Sequence, residues 1–96
     1  MDRILLSETQ AILRRTANQG VDMRQKEAYY EMSRSMNVVL KSMQEQQNKL
    51  RQIVNVANEV HNNNLADTLH QIAKRMNQEI QEAEAVMHQM RNIANN

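Results

Sequence analysis

Ninety-six residues with twelve Lys or Arg, eleven Asp or Glu and three His carry a formal charge of +1, too even a balance to point at nucleic acid. The absence of cysteine excludes disulfide scaffolds and thiolate metal sites. With no proline, one glycine, no Phe or Trp and only Tyr29 and Tyr30 as aromatics, almost nothing interrupts a helix.

Leu, Ile, Val and Met supply 28 residues, enough for long helices sharing narrow seams but thin for a thick globular core. Asn and Gln number 23 and solvate helix faces without strong charge. No apolar run reaches the length of a membrane span or of a signal-peptide core, so a soluble chain is expected, cytoplasmic by default, with non-classical secretion still compatible. A single domain of this size buries only about 60 to 65 percent of its unfolded surface, which makes self-association or a partner a natural expectation.

In chain order, Ser7 and Gln10 have capping-box spacing and start a short first helix over about 8–18, with Ile12, Leu13 and Thr16 on its apolar side. Ile4, Leu5 and Leu6 extend it or pack as an apolar arm. Gly20 then offers the left-handed residue of a helix stop, and Asp22 with Gln25 repeats the capping-box spacing at the start of a second helix.

The second helix spans 22–61. Steps of three and four from Tyr29 land on Met32, Met36, Val39, Met43, Gln46, Leu50, Ile53, Ala57 and Val60, a heptad pattern long enough for a coiled-coil seam. Leu40, Val54 and Val56 widen the apolar face of its second half, which implies more than one neighbour there. Gln46 is the polar exception in the seam. Such a residue costs stability yet can fix register, so Gln46→Leu is expected to raise thermal stability.

Asn62, Asn63 and Asn64 form the next break, suited to left-handed backbone, capping and a solvated turn. The third helix spans 65–94, with Asn64 as cap and Asp67 in its first turn. Its seam reads Leu65, Leu69, Ile72, Met76, Ile80, Ala83, Met87, Met90 and Ala94, with a stutter between Met76 and Ile80. So short a link makes the two long helices antiparallel neighbours. Helix 3 then lies back along helix 2 as far as about Met32.

The fold expected is therefore all-α: an antiparallel, coiled-coil-like helical hairpin with a short N-terminal helix, completed as a three-helix bundle or within an oligomeric bundle. In size it resembles the small substrates of type VII secretion, whose Trp-x-Gly turn has no counterpart in a chain without Trp. Gln46 in a heptad ladder is similar to the central layer of SNARE helices on one residue alone. Neither resemblance assigns a family.

For chemistry, His61, His70 and His88 do not converge in such a hairpin, and the paired Glu-x-x-His pattern of di-iron bundles is missing, so no metal is expected. The serines lack a glycine loop or strand to present them, a thin hairpin lacks concavity, and one glycine leaves no phosphate cradle; no enzyme activity and no cofactor are expected. The basic residues of helix 2 scatter among Glu27, Glu31 and Glu45 as a salt-bridged surface.

The expected function is a non-enzymatic protein–protein interaction module, a homo-oligomer or an adaptor on another helical protein. Tyr29, Met32, Met36, Val39 and Met43, with Gln46, are the expected contact, because helix 3 is expected to cover the other end of helix 2 better. Charging Met36 and Met43 together is then expected to abolish association. The alternatives are a small secreted or phage-type effector or inhibitor that occupies a protein surface, and a weak nucleic-acid binder.

Overall fold

The structure, a computed structural model, describes residues 3–95, with side chains from Ser7 onward. It is all-α: α1 spans Arg3–Gln19, α2 Met23–Glu59 and α3 Asn63–Asn95. The long helices form an antiparallel hairpin, giving a rod with extents of 58 × 22 × 14 Å.

α1 begins at Arg3, so of the two expected readings the helix is extended through Ile4, Leu5 and Leu6 rather than starting at about residue 8. Ser7 lies inside the helix, and no capping box forms there. A cap contributes only about 1 kcal/mol, too little to halt a helix whose preceding residues, Arg3 to Leu6, are themselves sound helix formers. The side chains of Ile4, Leu5 and Leu6 lie outside the described residues. Gly20 does end α1, at φ +79°, with its N–H donating to Ala17 O. Beyond it, the box forms as the spacing requires: Gln25 N–H donates to Asp22 Oδ1 at 2.8 Å and Asp22 N–H to Gln25 Oε1 at 3.0 Å.

The turn between α2 and α3 is tighter than three free asparagines would make it. His61 takes the left-handed position, at φ 62°, its N–H donating to Asn58 O while Asn62 N–H donates to Ala57 O. That pair of bonds is a Schellman stop. Asn62 at once caps α3, accepting Leu65 N–H on Oδ1 at 3.2 Å. The cap is thus Asn62 rather than Asn64, and Asn63 and Asn64 already belong to the helix.

The register of the hairpin differs from the expected seam by one row. In α2 the covered seam positions are Tyr29, Ser33, Met36, Leu40, Met43, Gln47, Leu50, Val54 and Ala57, with Lys26 and Asn37 also half-buried. One row, Tyr29, Met36, Met43, Leu50 and Ala57, is shared with the expected seam. The other expected row, Met32, Val39, Gln46, Ile53 and Val60, is exposed, and Ser33, Leu40, Gln47 and Val54 replace it.

α3 shows the same displacement, because Ala66 and Ala73 are buried while Leu65 and Ile72 are exposed. Its seam then runs Ala66, Leu69, Ala73, Met76, Ile80, Ala83, Met87, Met90, Ala94 in unbroken heptad spacing. No stutter remains. Leu40, Ile80, Ala83 and Met87 form one buried cluster with Met36 and Met43 against it, which fixes Leu40 near Ala83 and Met43 near Ile80.

The physical reason lies in helix width. On each long helix the apolar arc is three heptad positions wide, and one neighbouring helix covers only two of them. The hairpin takes the pair of rows that holds the small residues Ser33, Ala57, Ala66, Ala73 and Ala83, which make room for side chains of the facing helix, as Ala83 does for Leu40 and Ala73 for Gln47. The third position faces sideways.

On α3 that sideways row is Leu65, Ile72, Glu79, Val86 and Ile93, and α1 packs on its far end. Leu13 joins Val86 and Ile93 in a second cluster, with Val21, Tyr29, Met36 and Met90 packed against it. Of the apolar side expected for α1, Leu13 is buried and Thr16 half-buried, but Ile12 is exposed. α3 continues to Asn95 and so runs past Met32 to the level of about Ala28, leaving the first turn of α2 uncovered, with Met23 72 percent exposed.

Candidate interaction surface

The outer row of α2 is a regular series of apolar side chains that the hairpin leaves uncovered. Met32, Val39, Ile53 and Val60 keep 41, 50, 53 and 67 percent of their surface, and Val56, one turn from Ile53, is also exposed. They recur at steps of seven with Gln46 in the middle, so they line one straight stripe roughly 42 Å long. Lys49, Gln52, Ile53 and Val56 line a shallow depression of about 460 Å³ on it. α1 packs mainly on α3, beside the Met32 end of the stripe, and among the described residues the row stays exposed along its length.

Isolated exposed apolar residues are ordinary, but a heptad-spaced row of them is the pattern that pairs helices. Near the turn the stripe broadens, since Leu65 and Ile72 of α3 lie uncovered on the same side as Val60 and Ile53. This is the end expected to be better covered. The reverse holds because α1, packed on Val86 and Ile93, covers that side only at the opposite end.

Of the expected contact residues, Met32, Val39 and Gln46 therefore share the open stripe, whereas Tyr29, Met36 and Met43 are half-buried inside the hairpin. Gln46 is not the polar residue of the seam. It is exposed, with its amide 3.5 Å from Ser42 Oγ. That place belongs to Gln47, 6 percent exposed, whose Nε2 donates to Ala73 O at 3.0 Å and ties α2 to α3. Ser33, fully buried, donates instead to Tyr30 O of its own helix at 2.7 Å.

Sequence reasoning passed over Gln47, Ala66 and Ala73 because the neighbouring rows are more apolar. The signal that finds them is periodicity: only with Ala66 and Ala73 does α3 keep an unbroken heptad.

The three histidines are exposed and lie on separate turns. Among the described residues no group of three His, Cys, Asp or Glu side chains is placed to share a metal ion, and no helix is long and apolar enough to cross a membrane. No family model, curated protein or solved structure matches the chain.

Proposed function

We propose that the chain is a non-enzymatic helical interaction module, associating with itself or with another helical protein through the outer stripe of α2. One observation carries this reading: the hairpin buries Ser33, Gln47, Ala57, Ala66 and Ala73 beside its larger core residues, while Met32, Val39, Ile53 and Val60 stand outside it in a heptad row. A chain folding for itself alone gains about 25 cal/mol for each Å² of apolar surface it hides, and this one leaves a whole heptad row of apolar side chains in water beside the core of Leu40, Ile80 and Met87.

Met36 and Met43 also hold the hairpin together, so charging them tests folding rather than association. Val39 and Ile53 are the informative positions. The double variant Val39→Glu, Ile53→Glu should keep its helical circular dichroism while losing self-association, or losing whatever proteins the unsubstituted chain retains on an affinity column. An unsubstituted chain that neither self-associates nor retains another protein would end the proposal, as would a variant that binds as before.

A further inference from the structure

The outer stripe reads the same from either end: two apolar positions, Gln46, two apolar positions. We infer that it docks on the same stripe of a second copy, antiparallel, about a twofold axis beside Gln46. This rests on the proposed function and names the occupant of that surface.

In this pairing Met32 of one copy comes level with Val60 of the other, and Val39 with Ile53. Gln46 of each copy meets its twin near the axis, and an amide offers both donor and acceptor, so each can satisfy the other. A polar pair at one layer of an apolar seam is a device that fixes register.

Charge selects the direction. Lys49 borders the stripe, and Glu45 lies one turn before it on the same helix. A parallel pairing puts Lys49 and Glu45 of one copy on the opposite flank of the seam from those of the other, where they cannot meet. The antiparallel pairing sets Lys49 of each copy beside Glu45 of the other, two symmetric attractions flanking the amides.

The rod shape leaves surface enough for such a contact. The chain exposes 6979 Å², whereas a compact monomer of 11.2 kDa exposes about 5,700 Å². The surplus of about 1,300 Å² exceeds the roughly 800 Å² that each partner contributes to an interface of standard size.

The lack of cysteine makes the test direct, since single-cysteine variants report without background. Sedimentation equilibrium of the unsubstituted chain over a hundredfold concentration range should give a dimer. Under mild oxidation Gln46→Cys should form a covalent dimer. Met32→Cys and Val60→Cys should not cross-link alone, because roughly 42 Å separates each from its twin, but the two mixed together should.

Self-cross-linking of Met32→Cys would show parallel pairing and overturn the inference. A dimer in which Gln46→Cys and the Met32→Cys/Val60→Cys mixture both fail to cross-link uses another face and overturns it too. So does an unsubstituted chain that stays monomeric; if that monomer still retains another protein and loses it with Val39→Glu, Ile53→Glu, the interaction module stands without the second copy.

Discussion

Two rows of α2 flank the same central row, and they have opposite fates. The inner one, Ser33, Leu40, Gln47 and Val54, is half polar and covered by α3, while the outer one, Met32, Val39, Ile53 and Val60 around Gln46, is more apolar and open. Apolarity alone does not decide which row is buried. What decides is the surface it meets: the alanines of α3 accept a close neighbour on one side, and Val86 and Ile93 are taken by α1 on the other.

The sharpest way to break this comparison is to truncate adjacent residues. Leu40→Ala should cost about 2 to 5 kcal/mol in denaturant unfolding at low concentration, because Leu40 sits among Ile80, Ala83 and Met87. Val39→Ala should stay within about 0.5 kcal/mol under the same conditions. Equal losses would mean that both rows are buried.

A smaller effect tests the small residues facing them. Ala83, 2 percent exposed, has no room to grow, so Ala83→Leu should destabilise by about 1 to 3 kcal/mol and lower the melting temperature. An unchanged melting temperature would show that the helices are not held close there.

The glutamine pair sharpens the comparison further. Gln47→Ala removes the bond to Ala73 O and should cost about 1 kcal/mol. Gln46→Leu, expected from the sequence to stabilise the fold, should leave the monomer unchanged, because Gln46 lies outside the hairpin. Thermal melts of the dilute proteins distinguish the two.

The smallest effect concerns the turn. His61→Gly should raise stability by about 1 kcal/mol, since a side chain at φ 62° carries a steric cost that glycine lacks. Calorimetry of the dilute protein would show it.

Much of this architecture was legible in the residues. Gly20, the Asp22–Gln25 box and the asparagine turn place the helix ends because each acts through local backbone chemistry. The shared row from Tyr29 to Ala57 was legible through its heptad spacing. The choice between Met32, Val39, Ile53 and Ser33, Leu40, Gln47 as its companion row was not, since a periodicity argument ranks rows by apolarity and closeness of approach depends on the partner's small residues. The early start of α1 was legible only as one of two readings, extension through Ile4, Leu5 and Leu6 or an apolar arm: Ser7 satisfies the spacing of a cap, but a cap decides a boundary only where the preceding residues do not continue the helix.

The most direct test of the register is a comparison of Val39→Glu with Leu40→Glu by circular dichroism at micromolar or lower concentration. The register described here requires Val39→Glu to keep the helical signal and melting behaviour of the unsubstituted monomer, and Leu40→Glu to lose cooperative folding. Collapse of Val39→Glu with survival of Leu40→Glu would place the outer row inside the hairpin and contradict it.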